Sequence, residues 1–471
     1  MRRDLLLTHN NLYDFETIRE ETLQNILELL EDKKYFKARD EILKLNAPDI
    51  ADILDEIEQV EGEQAVILFR LLPKDISVDV FAELSSDDQI KIVNIITDKE
   101  LDYIIKELDF DDKIDILEEL PANVVDKILE NTPKNERKMI NTFLNYPDTS
   151  AGSLMTPDYI SLQKEWTVER AMRHIKEVGM DAETIYTCYV KDAGRKLIGI
   201  VSLSTLVVSD DSAKIKDIMR TEYVYESVYN DQEAVASDFV KYGFLALPIV
   251  DNEHRLVGIV TVDDILDVIE EETTEDFERM NGVLDFDTVE RDYLDISVMK
   301  HVMNRLPWLI ILMIAYVVTG SVISKYEVLI SDQSSLVVYM PMLMGTAGNT
   351  GSQAATLVIR GIATGEILTK DVFRVLSKEF RVGAVMGIIL SILNFLRIWI
   401  LEGQPISIAF TVCVSMLAIV IFAKVLGSMI PIIAKTCKID PALIANPAIS
   451  SISDTVSCIT YFTMAAIFLG V

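Results

Sequence analysis

Five apolar runs, each long enough to cross a membrane, fill the last third of the sequence. They cover residues 306–324, 335–359, 382–401, 406–432 and 441–470. A helix needs about 20 apolar residues to span roughly 30 Å of hydrocarbon, so each run suffices for one crossing. Inside a bilayer every backbone polar group needs an internal partner, and a helix supplies one. We therefore predict a bundle of five transmembrane helices at residues 306–471.

Charge is divided unevenly between this region and the rest of the chain. The 471 residues include 44 Lys and Arg and 75 Asp and Glu, a net charge of −31. From His301 onward there are 11 basic and 8 acidic residues, which leaves 33 basic and 67 acidic residues before it. The acidic excess lies entirely in the preceding part. It argues against nucleic-acid binding and favours a cationic partner, although solubility alone also accounts for it.

The loops between the runs predict the orientation in the membrane. The second and fourth connections are basic, with Lys370, Arg374, Lys378, Arg381, Lys435 and Lys438. The first and third are mainly acidic, with Glu327, Asp332 and Glu402 beside Lys325. Because basic loops stay in the cytosol, we expect a multi-pass cell-membrane protein with a cytoplasmic N-terminus and an extracytoplasmic C-terminus. The polar N-terminus, MRRDLLLTHNNLYDFE, does not resemble a signal peptide.

Several classes of chemistry find no support in the sequence. The cysteines, Cys188, Cys413, Cys437 and Cys458, show no CxxC spacing, and the four histidines are scattered. This pattern predicts neither a zinc site nor a disulfide framework. Because phosphate-loop, nucleophile-elbow and HExxH motifs are also missing, we do not expect an enzyme.

Residues 12–137 are acidic and have a helical period. Apolar–polar units repeat along them, with Ala47-Pro48, Leu72-Pro73 and Leu120-Pro121 near the expected helix starts. Proline is favoured in the first helical turn, so these residues predict a superhelical stack of short helices. Asp-rich stretches such as DFDDKID, which contains Asp111 and Asp115, read by themselves as solvated surface.

An internal repeat follows. KLIGIVSLSTLVV at 196–208 aligns with RLVGIVTVDDILDV at 255–268, so that Gly199 corresponds to Gly258. Each copy follows an apolar strand and opens with a Met-initiated segment, a pattern that indicates α+β structure. The repeat resembles a tandem pair of cystathionine-β-synthase (CBS) domains. That resemblance implies an adenine-nucleotide site at Thr261, Asp263 and Phe244, yet the first copy has Ser204-Thr205 where an acidic residue is usual.

Carboxylates crowd the segment after the second copy, from Asp263 to Asp276. Like charges three and four residues apart destabilise a helix, and bound divalent cations would relieve the repulsion. A solvated helix face explains the same pattern. Both interpretations stay open from the residues alone.

The last apolar run contains a carboxylate. Asp454 lies at its centre, where a charge costs about 2.5–3.5 kcal/mol on insertion scales unless it meets water or an ion. Asn446, Ser450 and Asp454 recur every four residues, which puts their oxygens on one helix face. Pro447 should free the carbonyl of Leu443. These oxygens indicate a path for a hard cation, whereas Asn446 and Ser450 alone could equally be interhelical hydrogen-bonding residues.

The second run is also unusual, with YMPMLMGTAGNTGSQAATLVIRG. Its glycines permit close helix approach, and Pro341 should free the carbonyl of Val337. Asn349 and Gln353 add polar atoms that could border the same path. We name Pro341, Gly345, Asn349 and Gln353 as candidate pore-lining residues.

Taken together, these motifs resemble the MgtE family of magnesium channels and transporters. The resemblance rests on SAGSLMTPDYISL, the two CBS repeats, PMLMGTAGNTGSQAATLVIRG and IDPALIANPAISSISD. It implies an acidic helical Mg²⁺-sensing domain at 1–137, tandem CBS domains at 138–272, a connecting plug helix at 273–305 and a five-helix pore domain at 306–471. It also implies a homodimer in the lipid bilayer that admits Mg²⁺ passively and closes when cytosolic Mg²⁺ binds.

Residue roles follow from the resemblance as well. Asp454 is the expected pore carboxylate, with Asn446 and the carbonyl of Ser450 as neighbours. Regulatory Mg²⁺ ligands are expected at Asp111, Asp115, Asp231, Glu233, Asp264, Asp267, Glu272, Glu275, Asp276 and Asp440. Gly243 stands where an acidic residue is expected, so one inter-CBS site should be weaker. ATP at the CBS pair is left open.

Two other functions compete with this interpretation. The chain could be a membrane-anchored sensor of adenine nucleotides, but an anchor has no use for Asn349 or Asp454. It could also be a channel for Co²⁺ or Mn²⁺. Ligands that are all oxygen favour Mg²⁺ over both.

Overall fold

The computed structural model of the protein describes residues 10–283, 293, 296–444 and 446–470. Contacts divide the chain into two units, Met1–Val268 and Ile269–Val471. The first unit contains the acidic helices and the two repeats. The second contains the apolar helices together with the end of the helix that follows the second repeat.

The described part of the first unit opens with nine helices. They are α1 Asn10–Glu31, α2 Tyr35–Ile42, α3 Ala47–Phe69, α4 Lys74–Ala82, α5 Ser86–Ile95, α6 Asp98–Glu107, α7 Phe110–Glu119, α8 Ala122–Asn131 and α9 Lys134–Phe143. Pro48 lies in the first turn of α3, and Pro73 and Pro121 immediately precede α4 and α8, which confirms the predicted helix starts. Helices two apart are in contact, α3 with α5, α4 with α6 and α5 with α7, as in a superhelical stack.

Each repeat forms a three-stranded mixed sheet with helices. The first has β1 Tyr159–Gln163, α10 Val168–Val178, β2 Thr184–Lys191, β3 Leu197–Ser202 and α11 Leu203–Val208. After α12, Ile215–Ile218, the second has β4 Glu226–Ser227, α13 Gln232–Tyr242, β5 Ala246–Val250, β6 Leu256–Thr261 and α14 Val262–Met280. In both sheets the first two strands are parallel and the last two antiparallel. The two copies of the sequence repeat therefore have the same fold.

The repeated glycines join the two copies. A Cβ on Gly258 would lie 2.8 Å from the carbonyl oxygen of Thr156, in the segment that opens the first copy. A Cβ on Gly199 would lie 2.9 Å from Sδ of Met219, in the segment that opens the second copy. Each opening segment therefore packs against the glycine strand of the other copy, at a distance that any side chain there would obstruct.

The second unit is built from long helices. After the end of α14 come α15 Val298–Lys325, α16 Glu327–Asp332, α17 Met340–Ala363, α18 Val372–Leu396, α19 Ile406–Thr436 and α20 Asn446–Leu469. Short 3₁₀ turns at Ser334–Tyr339, Thr369–Asp371 and Ala442–Ile444 precede α17, α18 and α20, and a π-helical turn, Arg397–Leu401, ends α18. The core of this unit lies among α17, α19 and α20 and includes Leu343, Val412 and Phe462.

Four segments of the described chain are long and apolar enough to span a membrane: Val298–Lys325, Thr369–Leu401, Ile406–Thr436 and Pro447–Leu469. The second predicted run, 335–359, folds largely into α17, a helix of 24 residues that is richer in small and polar residues. The number of five crossings stays a prediction.

One proline interpretation was wrong. Pro341 lies in the first turn of α17, and the carbonyl of Val337 accepts a hydrogen bond from the amide of Met340. Pro447 is the second residue of α20, and a free carbonyl at Leu443 stays a prediction. Both prolines lie at helix starts, where proline is favoured. The sequence pattern could not show this because each helix starts later than its apolar run.

The connection between the repeats and the apolar helices is helical at both ends. Helix α14 continues without a break through residues 272 and 273, where we had placed a domain boundary, and ends at Met280. Helix α15 begins at Val298, before the predicted start of the first apolar run. Residues 284–292, 294 and 295 of the predicted connecting helix lie outside the described residues.

Candidate functional site

Asp454 lies on α20, half buried, and faces α15. The hydroxyl of Tyr316 donates a hydrogen bond of 3.4 Å to its Oδ2. One residue further on, the hydroxyls of Thr319 and Thr455 are 2.6 Å apart, so α15 and α20 meet through polar side chains here. No basic residue of the described chain forms an ion pair with Asp454. Its charge is thus left for a cation or for water to compensate.

Ser450 lies one helical turn before Asp454 on α20. It packs against α17, with its Oγ 3.5 Å from the position that a Cβ on Gly348 would take. Asn446 is the first residue of α20, but its side chain is outside the described part of the structure. Ser450 thus contacts α17, whereas Asp454, one turn later, contacts α15, and a shared ligand face for the two residues stays a prediction.

Helix α17 has one buried face and one open stripe. Gly348 and Gly351 are buried, and a Cβ on Gly351 would lie 2.9 Å from Cγ2 of Ile449 on α20. The four candidate pore-lining residues, Pro341, Gly345, Asn349 and Gln353, are all exposed. Since they recur every four residues, they form a single exposed stripe along α17.

The sequence analysis overlooked a second charge inside the apolar region. Lys424, in the middle of α19, is buried and lies 3.9 Å from Glu379 of α18. A Cβ on Gly383 would lie 3.3 Å from the Cβ of Lys424, so the glycine leaves room for the lysine. Lys424 interrupts a strongly apolar run, and that interruption was the available signal. Its partner is on the preceding helix and is not Asp454.

In the first unit the predicted ligands Asp111 and Asp264 come together. Burial, aided by the charges of Asp264, Glu183 and Asp112, raises the pKa of Asp111 to about 8. Burial and neighbouring carboxylates also raise the pKa of Glu183 to about 7 and that of Asp112 to about 6. One carboxylate oxygen of Asp111 is buried without a hydrogen-bond partner. We call Asp111, Asp112, Glu183, Asp263 and Asp264 the Asp111 cluster.

The Asp111 cluster combines three parts of the first unit: α7, the first repeat and the second repeat. Asp264 accepts a hydrogen bond of 2.6 Å from the hydroxyl of Thr261, and burial raises its pKa. Asp267 adds to the negative potential around Glu83, whose pKa is raised first by burial and then by Asp267. Sequence reasoning missed Glu183 because nothing in the chain order shows that β2 begins beside α7.

Three predicted regulatory ligands of the first unit, Asp115, Asp231 and Glu233, are exposed and do not belong to the Asp111 cluster. Asp115 is exposed on α7. Asp231 caps α13, where its side chain accepts the backbone N–H of Glu233 at 3.0 Å. Gly243 ends the same helix in a left-handed conformation, with φ of 66°, which glycine adopts without strain. Capping explains Asp231 without a metal, while a metal role for all three acidic residues stays a prediction.

In the second unit a further acidic group surrounds an arginine. Arg279 of α14 forms ion pairs with Glu275 on the same helix and with Oδ2 of Asp440, the latter at 3.1 Å. Burial, together with the charge of Asp440, raises the pKa of Asp276. Oδ1 of Asp440 accepts the backbone N–H of Ala442 at 2.8 Å, just before α20. We call Glu272, Glu275, Asp276, Arg279 and Asp440 the Arg279 cluster.

Neither cluster is a closed metal cage. In the part of the chain that the structure describes, no three His, Cys, Asp or Glu side chains stand close enough together to hold a metal ion. Mg²⁺ generally keeps several of its waters and uses only one or two carboxylates. Grouped carboxylates with raised pKa values are compatible with a hydrated ion of this kind.

A cavity of about 620 Å³ lies between the two repeats. Three aromatic residues line it, Tyr186, Tyr189 and Phe244, as do the hydroxyl residues Thr187, Ser202 and Ser204. Of the three residues proposed for nucleotide binding only Phe244 is among them. Thr261 and Asp263 are not, because the cavity opens on the corresponding turn of the first repeat, after β3.

Known proteins of one family match nearly the whole chain. The profile of a family described as the divalent cation transporter MgtE matches residues 340–464. The profile of the MgtE intracellular N domain matches 45–149, and that of the CBS domain matches 151–209 and 215–271. The magnesium transporter MgtE of Thermus thermophilus is 35% identical over 422 residues, 89% of this chain and 92% of that protein.

Two further relatives extend the match. The magnesium transporter MgtE of Bacillus subtilis is 33% identical over 466 residues, 98% of this chain and 99% of that protein. A crystal structure described as the cytosolic domain of the Mg²⁺ channel MgtE in complex with ATP is 33% identical and has a TM-score of 0.50. It covers 52% of this chain and 99% of that one, so the similarity includes the helical domain, the CBS pair and the apolar helices together.

Proposed function

The chain belongs to the MgtE family of divalent cation transporters, and from this premise we propose that it is a Mg²⁺-selective channel gated by cytosolic Mg²⁺. The proposal rests on the surroundings of Asp454. This carboxylate lies within an apolar helix, has no basic partner in the described chain, and accepts one hydrogen bond there, from Tyr316. A hydrated divalent cation is the partner that this position lacks.

The ion path in this proposal runs along α20 and α17. Mg²⁺ requires an octahedral oxygen shell and releases its waters reluctantly. A carboxylate, the carbonyl at Ser450 and the amide groups of Asn349 and Gln353 can hydrogen-bond to the waters of the ion without replacing all of them. We propose Asp454 as the binding carboxylate, with Asn446 and Ser450 beside it.

We further propose a homodimer. The stripe of Pro341, Gly345, Asn349 and Gln353 is exposed on α17, although polar side chains are costly against lipid. Pairing two such stripes across a twofold axis would remove them from lipid and would enclose a polar passage between two copies of Asp454. Each protomer would then contribute half of the pore.

Uptake needs no other energy source than the membrane potential. An elementary charge gains about 2.3 kcal/mol per 100 mV on moving to the negative side, so Mg²⁺ gains roughly twice that amount. We propose passive flow into the cytosol through a protein whose N-terminus is cytoplasmic and whose C-terminus is extracytoplasmic. The basic loops at 370–381 and 435–438 support this orientation.

Gating is proposed to use both acidic clusters. Mg²⁺ at the Asp111 cluster would offset repulsion among α7 and the two repeats, and Mg²⁺ at the Arg279 cluster would bridge α14 to the turn before α20. A ligand shifts a conformational balance only by its differential affinity for the two states. Carboxylates that approach one another in one state give Mg²⁺ such a preference. Asp115, Asp231, Glu233 and Asp267 are proposed as further regulatory ligands.

The nucleotide-sensor alternative has less support. ATP is bound by the related cytosolic domain, but the cavity between these repeats lacks a charged lining residue within the described chain. A channel for Co²⁺ or Mn²⁺ differs from the main proposal only in ion preference, and oxygen ligands favour Mg²⁺. Competition among divalent ions in an uptake assay separates the two channels.

The test of the pore is ion flux into vesicles that contain the purified protein. We expect Asp454→Ala to reduce Mg²⁺ flux by more than tenfold, since a loss of about 1.4 kcal/mol already corresponds to tenfold. Glu327→Gln removes a charge from the exposed start of α16 and serves as the control. Wild-type Mg²⁺ flux through the Asp454→Ala protein would remove the basis of the proposal.

A further inference from the structure

One exposed face of α18 is strongly basic where the helix begins. Arg374, Lys378 and Arg381 follow one another at intervals of four and three residues, so they lie on one side of the first turns. All three side chains are exposed. We propose that these residues, the basic face of α18, bind the headgroup of an anionic phospholipid in the cytoplasmic leaflet. The proposal goes beyond Mg²⁺ transport and rests only on the membrane crossing and orientation proposed for α18.

The length of α18 places the basic face at the level of the lipid headgroups. The apolar run 382–401 extends over about 30 Å at roughly 1.5 Å per residue, which fills the hydrocarbon of a bilayer. Arg381 and Lys378 then lie about 2 and 6 Å beyond the hydrocarbon, inside a headgroup layer roughly 5–8 Å thick. Arg374 lies about one turn further out, and its long side chain can extend back toward the phosphates.

The acidic residue of these turns does not neutralise the basic face. Glu379 is the one carboxylate in the sequence of α18, and it is buried against α19. There Lys424 lies 3.9 Å from it, in the space that Gly383 leaves. The charge of Glu379 is therefore compensated inside the bundle, and the exposed side of the helix keeps its positive charge.

The three basic side chains have few partners within the protein. Arg374 forms a loose ion pair of 3.8 Å with Asp371, just before the helix, and 89% of its side chain is exposed. Within the described chain neither Lys378 nor Arg381 forms an ion pair, although Nε of Arg381 donates a hydrogen bond of 3.0 Å to the carbonyl of Ser377. Like charges three and four residues apart destabilise a helix, and a phosphate between them relieves the repulsion.

Two aromatic side chains beside the basic face favour a lipid over a free anion. Phe373 and Phe380 are seven residues apart, so they lie on one side of the helix, and they are 82% and 52% exposed. Exposed aromatic residues next to Lys and Arg are typical of segments at a membrane surface, where the rings contact the lipid and the charges contact the headgroups. Inorganic phosphate would leave both rings in water.

A small cavity next to the start of α18 adds a recess for a headgroup. It measures about 170 Å³ and lies between α19 and the connection that precedes α18. Ile367, Leu368 and Ile432 form apolar walls, while Thr369 and Lys435 offer a hydroxyl and an ammonium group. The cavity is smaller than the roughly 300–1,000 Å³ of drug-sized sites. Basic pockets between transmembrane helices on the cytoplasmic side are suited to lipid headgroups.

The test is lipid binding to the full-length protein in detergent, with EDTA present, measured by native mass spectrometry with phosphatidylglycerol and phosphatidylcholine as probes. A Lys or Arg near an anionic surface contributes about fivefold in affinity, from about 1 kcal/mol. We expect phosphatidylglycerol to bind at least about tenfold more tightly than phosphatidylcholine. Combining Arg374→Gln, Lys378→Gln and Arg381→Gln should reduce this ratio to below about threefold, and Lys378→Gln alone should lower it about two- to fivefold.

A charge-matched variant controls for the loss of net charge. Arg170→Gln, Arg173→Gln and Lys176→Gln together remove the same charge from exposed positions of α10, in the first repeat. This protein should keep the lipid preference of the wild type. Because the side chains of the basic face are exposed, the unfolding temperature in phosphatidylcholine should not change when they are replaced, and circular dichroism checks that it does not.

Four results would overturn the proposal. They are equal affinity of the wild type for the two lipids, an unchanged ratio in the protein without the basic face, an equal loss in the α10 variant, and competition by inorganic phosphate, at constant ionic strength, as strong as that by phosphatidylglycerol. The last result would assign the face to a free anion. Mg²⁺ flux into vesicles of phosphatidylcholine tests the channel separately, so a failure of either proposal is distinguishable from a failure of the other.

Discussion

Among the described residues, one side chain, that of Tyr316, forms a hydrogen bond with Asp454. The hydroxyl of Tyr316 reaches Oδ2 over 3.4 Å, a long hydrogen bond. Such a bond contributes about 0.5–1.5 kcal/mol net, which corresponds to less than or about a tenfold change in an equilibrium or a rate. In the proposed pore, Tyr316 is therefore a positioning residue and Asp454 the proposed ion ligand.

Replacing Tyr316 by Phe should reduce Mg²⁺ flux by about two- to tenfold, which is less than the effect of Asp454→Ala. The ring stays, the carboxylate loses its donor, and the ion meets a less ordered ligand. Vesicle flux at several Mg²⁺ concentrations measures the change. Tyr326→Phe is the control, because Tyr326 forms a comparable hydroxyl contact of 3.2 Å, but with Thr463. Equal losses in both variants would show that the Tyr316 contact has no special role.

Arg279 supplies a positive charge where the gating proposal places Mg²⁺. Its guanidinium pairs with Glu275 and with Asp440, both proposed as regulatory ligands. A carboxylate that is engaged by a guanidinium has fewer free lone pairs for the waters of a metal ion. Arginine and Mg²⁺ should therefore compete for this site, and the arginine should raise the Mg²⁺ concentration needed for closure.

Arg279→Gln should accordingly lower the Mg²⁺ concentration that half-closes the channel by up to about fivefold, since an exposed ion pair contributes at most about 1 kcal/mol. Flux measured against internal Mg²⁺ tests this expectation. Arg360→Gln removes an exposed arginine from the last turn of α17 and should leave the midpoint unchanged. A midpoint that rises in Arg279→Gln would instead mean that the arginine itself holds the channel closed.

Helices α17 and α19 meet with their backbones almost in contact. A Cβ on Gly427 would lie 2.2 Å from the carbonyl oxygen of Gly351, which is backbone and cannot rotate away. Small residues at such crossings allow the close approach that stabilises helix pairs in membranes. Since α17 also contacts α20 through Gly348 and Gly351, this crossing holds the exposed stripe of α17 beside the helix that contains Asp454.

Gly427→Ala should destabilise the membrane domain by about 1–3 kcal/mol, the usual effect of overpacking, and should lower its unfolding temperature. Gly320→Ala is a matched control on α15, because nothing lies within 4 Å of a Cβ there. That substitution should be neutral or slightly stabilising, since alanine favours helix by about 1 kcal/mol over glycine. Unfolding of both proteins in detergent, followed by circular dichroism, distinguishes them. An unchanged melting temperature for Gly427→Ala would contradict the close crossing.

The elements of the fold were largely predictable because their signals are local. Prolines before α4 and α8, the period of the apolar residues and the repeat around Gly199 and Gly258 depend only on neighbours in the chain. The helix starts at Pro341 and Pro447 were not predictable, because an apolar run does not show where a 3₁₀ turn becomes an α-helix.

The sites were less predictable because they join distant segments. Asp111 and Asp264 were expected as separate ligands from the family resemblance, but Glu183 becomes their neighbour only when α7 packs on the repeats. The nucleotide residues were assigned to the second repeat because it has the acidic pair, whereas the described cavity opens on the first. Local sequence shows which groups are present, and tertiary packing decides which of them meet.

Residues 1–300 contain the acidic excess, and folding groups some of these carboxylates into a candidate cation site. Packing brings the carboxylates of the Asp111 cluster together and removes Asp111, Asp112, Glu183 and Asp264 partly from solvent. Protons and Mg²⁺ are then alternative ways to reduce the same repulsion. Either of them should stabilise the folded first unit, and each should weaken the effect of the other.

The sign of the pH dependence follows from the raised pKa values. Free carboxyl groups ionise near pH 4, whereas Asp111 retains its proton up to about pH 8, Glu183 up to about 7 and Asp112 up to about 6. Between these limits the folded chain binds more protons than the unfolded chain. The contribution of these groups to stability is thus complete at low pH and is lost as pH rises toward about 8.

We therefore expect the unfolding temperature of the full-length protein in EDTA to fall between about pH 6 and 8.5, and the gain from added Mg²⁺ to grow over the same interval. Asp111→Asn should reduce both changes, because it removes the group with the highest pKa of the cluster. Asp126→Asn, at an exposed position on α8, should reduce neither. A Mg²⁺ gain that is the same at both pH values would mean that the ion binds away from the Asp111 cluster, since protons would then not compete with it.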